Sequence, residues 1–275
     1  MKYSTYLREL FGDTDLNIED LLLLESFQVK YLPERVPQKE FATLLRAHPI
    51  IHRFLIKKEP SIVSFLDKIL MENKPINDQD TIDGYCDEVI WEIGELIVYN
   101  KFPEVYDSKI NFTWEIEDIL SIDLLKDKTI ADVGAGSGML SLLLSPYVKT
   151  VYAFEPLGSF RNFIKNKISV KRINNIYTME GFLESVPIPD NSIDYLFTSN
   201  AIGWNFDKEQ KEIERVVKPG GQAIHLMRAF DKNAASPYHN HLLKWNYEFQ
   251  QFKAEGYKAK YYKTFQEKFF SFKGT

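Results

Sequence analysis

The 275-residue sequence predicts an α/β fold with a mostly parallel sheet, preceded by a helical region. Three observations lead there. From Lys128 onward, short apolar runs alternate with helix-forming stretches, as in βαβ units laid side by side. Before about residue 115, apolar side chains recur at helical spacing instead. Where the alternation begins, three glycines (Gly134, Gly136 and Gly138) separate the apolar run Ile130-Ala131-Asp132-Val133 from the helix-favouring Met139 to Leu144.

Two domains are therefore expected, residues 1–115 as a helical cap bearing on substrate recognition and residues 116–275 carrying the glycine turn. In the first, Ile18 to Tyr31 holds Leu21, Leu22, Leu24, Phe27 and Val29, too apolar a set to lie exposed, and Asn17 can cap it. Glu40 to Ala47 follows Pro33 and Pro37 as a short helix, and Pro60 can start another over Ser61 to Met71. After the polar break Asn73 to Asp80, a longer helix is expected from about Thr81 to Tyr99. Lys101 to Asp107 reads as a loop around Pro103, and Trp114 to Leu120 as a last short helix.

In the second domain, Pro146 stops the helix after the glycines and Val151 to Phe154 forms the next strand. A helix over Ser159 to Ile168 and strands over Asn175 to Met179 and Asp194 to Thr198 follow. Asp207 to Val217 is then helical and Gln222 to Met227 extended. Pro237 opens an expected helix to about Ala254, Gly256 ends it, and Tyr257 to Lys263 with Glu267 to Phe272 reads as a closing hairpin-like pair of strands.

The glycine turn lies at the carboxyl end of its strand, where ligands bind in open α/β sheets. Its spacing narrows the ligand. A dinucleotide fingerprint needs glycine five residues after Gly134, and Met139 stands there; a phosphate-cradling loop needs a terminal Gly-Lys-Ser/Thr, which is absent. What remains is D-x-G-x-G-x-G, with Glu155 closing the second strand. A carboxylate at that place can accept from both hydroxyls of a ribose.

With these motifs the sequence resembles the S-adenosylmethionine-dependent methyltransferases of Rossmann-like fold. The resemblance continues through Val186 to Asp194, Thr198 to Trp204, and Glu212 to Gly221, in the family's order, and covers somewhat over half the chain. It implies a seven-stranded sheet with helices on both faces and only the last strand antiparallel, and S-adenosyl-L-methionine as cofactor. It places Asp132, Gly134, Ala135, Gly136 and Gly138 around the amino-acid end of that cofactor, and Glu155 with Pro156 at the ribose. Gly181, Phe182 and Leu183 fall near the adenine, where many relatives carry an acid. Here either Glu180 or Glu184 substitutes, or the backbone of Phe182 and Leu183 serves. Asn200 and Ala201 approach the methionine part and the transferred methyl. Many relatives have a histidine at this point that could act as base; here Gly203 stands instead, so no catalytic base carries over. Trp204 either lines an acceptor pocket or packs, and Tyr99 and Arg228 are the further candidates for substrate contact.

Composition bounds the rest. A net charge of −5 argues against a backbone-tracking nucleic-acid partner. No apolar run reaches membrane-span length, the start MKYSTYLREL lacks a signal-peptide core, and the single cysteine, Cys86, fits a reducing compartment, so a cytoplasmic location is expected. His48 and His52 share helical spacing, but Pro49 intervenes and no Glu follows His48, so they read as ordinary histidines and no metal is expected. The function expected is methyl transfer to a small-molecule acceptor held between the two domains. A protein or RNA methyltransferase, or a non-catalytic cofactor- or partner-binding protein, is the alternative. Neither the acceptor nor the oligomeric state can be read from the sequence.

Overall fold

The computed structural model describes residues 3–110, 112–229, 238–254 and 256–266. The chain divides into two compact units, Met1–Ile110 and Asn111–Thr275.

The first unit is helical throughout its described residues. It contains α1 (Tyr3–Phe11), α2 (Ser26–Lys30), α3 (Leu32–Arg35), α4 (Gln38–Ala47), α5 (Pro49–Lys58), α6 (Val63–Glu72), α7 (Gln79–Glu92), α8 (Gly94–Lys101) and α9 (Pro103–Lys109). Leu21, Phe41, Leu44, Leu55, Leu66, Val89 and Ile97 are buried together in its core. The expected helix over residues 18–31 is broken into a 3-10 turn, Ile18–Leu23, and α2. Asp20 accepts the Asn17 amide at 2.9 Å and closes the turn's start. The expected helix to Tyr99 divides at Ile93, and the expected loop around Pro103 is helix α9 with proline at its start. Proline at a first helical position loses no hydrogen bond, so it can begin a helix as readily as end one.

The second unit begins with α10 (Ile116–Ile119) and α11 (Ile122–Leu125). Trp114, Ile116 and Ile119 are buried in the core that also holds Ile130, Val151 and Ile224, so this segment belongs to the sheet's own packing. Lys258 donates to the Thr113 carbonyl at 2.5 Å and to Asp118 at 2.9 Å, and lies over the Trp114 ring. The boundary expected at 115/116 would have cut through these contacts.

Next come β1 (Thr129–Val133), α12 (Met139–Leu144), β2 (Thr150–Phe154), α13 (Gly158–Val170), β3 (Ile176–Met179) and β4 (Ile193–Ser199). The unit ends with α14 (Phe206–Val216), β5 (Val217–Ala229), α15 (His239–Lys244), β6 (Glu248–Ala254) and β7 (Gly256–Thr264). The seven strands lie in the order β3-β2-β1-β4-β5-β7-β6. The pairs among β1 to β5 are parallel, and β7 runs antiparallel to both β5 and β6. Ile130 to Val133 are all buried, which is why the strand reads as an apolar run broken only by Asp132.

The expected helix to Ala254 is corrected here. It ends at Lys244, and β6 takes the following residues as the first strand of the closing hairpin, with β7 as the second. The expected strand over 267–272, and Pro237 itself, lie outside the described residues.

Candidate active site

The order of the sheet turns at β1, from which β2 and β3 extend on one side and β4 and β5 on the other. A crevice at the carboxyl ends of β1 and β4 is the place such a sheet offers a ligand. The turn after β1 is fixed from below: the Gly134 and Ala135 amides both donate to the Phe154 carbonyl, at 2.9 and 3.0 Å.

Two of the glycines do different work. Gly134 has φ +73°, and a Cβ there would lie 2.3 Å from the Ala201 Cβ, so it allows the loop after β4 to close against the turn. Gly136 has φ +53°, and a Cβ there would meet nothing within 4 Å. Gly136 therefore presents bare backbone to open space, as close approach of a ligand requires.

Glu155 follows β2 and is 5% exposed. Its Oε2 accepts the Gly136 amide at 2.8 Å and its Oε1 accepts the Leu157 amide at 2.9 Å. A carboxylate has about four acceptor positions, so these two bonds orient the group and leave acceptor capacity on each oxygen. Burial pushes its pKa up to about 7, against the two amide bonds that favour the ionised form.

Asp132, near the end of β1, is 1% exposed. Its Oδ2 accepts the Ser141 hydroxyl from α12 at 2.6 Å. Its Oδ1 is buried with no hydrogen-bond partner among the described residues. Burial raises this acid to about 6, opposed by Ser141. A buried acceptor left unmatched is costly in a folded protein, and one beside an open glycine backbone is matched by a ligand that donates hydrogen bonds. An adenosyl amino acid meets those requirements: hydroxyls for Glu155, a donor on the Asp132 side, and a flat body along Gly136. The residues present fit such a cofactor.

The candidates named for the adenine lie in and beside the segment after β3. Glu180 is paired with Arg161 at 3.1 Å and Glu184 with Lys208 at 3.9 Å, while Phe182 and Ser185 form a tight bridge after β3 with Leu183 buried. A Cβ on Gly181 would press to 2.9 Å from Phe154, so that backbone sits directly on the strand bearing Glu155.

On the β4 side, Asn200 adopts φ +53° and its Oδ1 accepts the Arg228 amide at 2.9 Å. Its side chain thus caps the end of β5. Arg228 and Trp204 are exposed, and Tyr99 lies in the first unit with its ring edge-on to Tyr106. The structure brings Gly136 and Glu155 into direct hydrogen-bond contact, sets Asp132 within electrostatic reach of Glu155, and closes Ala201 on Gly134. His225 is fully buried and hydrogen-bonded to Thr198 at 2.8 Å, with its pKa pushed down to about 3 by burial. It is a core histidine. No cluster of metal-ligating side chains occurs among the described residues.

Three residues escaped the sequence reading. Ser141 orients Asp132. Arg161 donates to the Glu155 and Pro156 carbonyls, at 2.8 and 2.6 Å, while pairing with Glu180, so it ties the loop after β2 to the end of β3. Glu209 accepts the amides of Gly203, Trp204 and Asn205, at 2.9, 2.9 and 3.2 Å. None belongs to a short motif. Only the helical phase of Ser141 and Arg161, facing back to the strand ends, could have pointed to them.

Residues 131–225 match the family model of a methyltransferase domain. That match lies wholly within the second unit and includes Asp132, the glycine turn and Glu155. The chain is 28% identical over 132 residues to the uncharacterized methyltransferase YcgJ of Bacillus subtilis, covering 46% of this chain and 52% of that protein. It is 26% identical over 129 residues to a demethylmenaquinone methyltransferase of Listeria monocytogenes, covering 45% of this chain and 54% of that one. The chain thus spans about half the length of the curated relatives it matches. A looser likeness joins it to the crystal structure of an S-adenosylmethionine-dependent methyltransferase from Aquifex aeolicus, with 19% identity, TM-score 0.44, and coverage of 60% of this chain and 90% of that one. No helix among the described residues of the chain is long and apolar enough to cross a membrane.

Proposed function

We propose that the protein methylates a small-molecule acceptor in the cytoplasm, using S-adenosyl-L-methionine bound at the carboxyl ends of β1, β2 and β4. The observation that carries this reading is the pair of buried acids, Asp132 and Glu155, flanking an open Gly136 backbone. When bound, the cofactor supplies a methyl group on a positively charged sulfur, open to in-line displacement.

The chain's own contribution is to hold and orient. Glu155 accepts from the ribose hydroxyls with Pro156 alongside, and Asp132 accepts from the amino-acid end over Gly134, Ala135, Gly136 and Gly138. Gly181, Phe182 and Leu183 border the adenine, with the backbone of Phe182 and Leu183 serving as its partner. Asn200 and Ala201 border the methionine part. Trp204 forms a wall for the acceptor, with Arg228 as a further contact, and excludes water from the transfer. No residue is given the role of base, since displacement at a methyl group needs one only when the acceptor must lose a proton.

The net charge of −5 favours a small acceptor over RNA. The name of the Listeria relative, a demethylmenaquinone methyltransferase, is in keeping with a small acceptor here. The test is incubation of the full chain with isotope-labelled S-adenosylmethionine and a metabolite extract, then separately with cell protein and RNA. Label in the small-molecule fraction supports the proposal. Label in protein or RNA defeats the acceptor class, and cofactor binding with no turnover in any fraction favours a sensor.

A further inference from the structure

The loop between β4 and α14 is held more firmly than a connection normally is. Its first residue, Asn200, is pinned through Oδ1 to the Arg228 amide at 2.9 Å, and Ala201 rests against Gly134. At its far end three consecutive amides, those of Gly203, Trp204 and Asn205, converge on one carboxylate, Glu209. That carboxylate is 3% exposed, although it sits in the first turn of a helix whose other acid there, Asp207, faces solvent. Gly203 has φ +113°, and the Tyr238 ring occupies the space a Cβ would need, at 2.7 to 3.0 Å.

Helix capping alone does not require this. Asn205 already stands at the N-cap and accepts the Lys208 amide at 3.4 Å, and the three amides that Glu209 takes precede the helix. A buried carboxylate left without donors is costly, and the amides that satisfy it have the direction of their peptide planes fixed in return. Trp204 lies in the middle of the three and is 57% exposed, so its ring leaves the loop from a clamped backbone.

We infer that Glu209 is a positioning residue for the acceptor side of the site: by gathering the Gly203, Trp204 and Asn205 amides it sets the direction of Trp204. This rests on the proposal that Trp204 walls the acceptor. It follows that the loop offers an acceptor its side chains rather than these three amides, whose donors are already committed.

The experiment incorporates 5-fluorotryptophan into the full chain and records fluorine NMR, with Trp204→Phe identifying the Trp204 line among those of Trp91, Trp114 and Trp245. In Glu209→Gln, which keeps one acceptor oxygen but sets an NH2 group against the other donors, the Trp204 line is expected to shift toward free fluorotryptophan and broaden. The other three lines keep their positions. Turnover on the metabolite extract that the wild type methylates falls roughly tenfold to a hundredfold. Binding of S-adenosylhomocysteine, measured by calorimetry on the same samples, stays within about threefold, because Glu155 and the glycine turn are untouched. An unmoved Trp204 line in folded Glu209→Gln protein overturns the inference, and so does a displaced line with unchanged turnover. Where Glu209→Gln does not fold, Glu209→Asp keeps the charge but withdraws it by one methylene, and the same two outcomes decide. Failure of the wild type to bind S-adenosylhomocysteine defeats the cofactor reading separately, since the Trp204 line reports on the loop whether or not cofactor binds.

Discussion

The Gly136 amide donates to Glu155 Oε2 at 2.8 Å, so the turn after β1 and the acid after β2 move as one piece. The Leu157 amide on Oε1 completes the arrangement and fixes the plane of the carboxylate before any ligand arrives. The polar wall of the proposed cofactor site is thus built by backbone donors that the fold itself brings into reach, which lowers the ordering cost of binding.

The two glycines that differ in surroundings should differ in phenotype. Gly134→Ala places a methyl 2.3 Å from the Ala201 Cβ in a left-handed conformation, so the loop after β4 must shift. The expected loss is of stability and binding together, with a melting temperature clearly lowered. Gly136→Ala meets no protein atom within 4 Å, so its effect on folding is limited to backbone strain of about 1–2 kcal/mol. Its larger effect falls on S-adenosylhomocysteine affinity, because the added methyl occupies the ligand's space. Thermal melting and calorimetry on both variants check the contrast.

The buried acids give stability and binding opposite pH slopes. Burial raises Glu155 from 4.5 to about 7 and Asp132 from 3.8 to about 6. The folded chain therefore keeps protons that the unfolded chain has already lost between roughly pH 4 and 7. Their contribution to stability is fully present below the unfolded values and is lost as pH rises through 6 and 7, with Glu155 alone accounting for up to about 3 kcal/mol. Ribose hydroxyls need the ionised acceptor, so cofactor affinity runs the other way and weakens as pH falls below about 7. Urea denaturation from pH 5 to 8, with Glu155→Gln as the variant that loses most of the slope, checks the first statement. Calorimetry in buffers of different ionisation enthalpy checks the second by detecting proton release on binding.

Truncation should locate the boundary between the units. A fragment of residues 111–275 keeps Trp114, which is 6% exposed and stacked edge-on with Phe252 beneath Lys258. A fragment of residues 116–275 removes that ring from the core. The longer fragment is expected to be more stable by about 2–4 kcal/mol, the scale of deleting a large buried side chain. Chemical denaturation of the two fragments side by side measures it.

The catalytic unit was legible where one physical requirement dominates a short stretch. A strand buried on both faces must be apolar, and a backbone that approaches a ligand must lack side chains, so Ile130 to Gly138 announced itself. The misreadings have equally local causes. Phe249 and Phe252, three residues apart, imitate a helical face, yet β6 sends Phe249 toward Tyr261 and Phe252 toward Trp114. Asn246, at φ +63°, marks where the preceding helix has ended, and asparagine in that conformation was the signal available. Gly94 similarly marked the division of the expected long helix at Ile93. In the proposed site, Glu155 was singled out by spacing and Asp132 by the family resemblance, whereas Ser141, Arg161 and Glu209 act through positions that only the folded chain brings together.

Titration of the full-length chain with S-adenosylhomocysteine by calorimetry, alongside Glu155→Ala, is the most direct test. The expected result is binding by the wild type and an affinity lower by about 1.5–3 kcal/mol in the folded variant, the cost of charge-assisted bonds to the ribose. Equal affinity in the two proteins, or no binding by a folded wild type, would contradict the placement of an adenosyl cofactor against Glu155 and the Gly136 backbone.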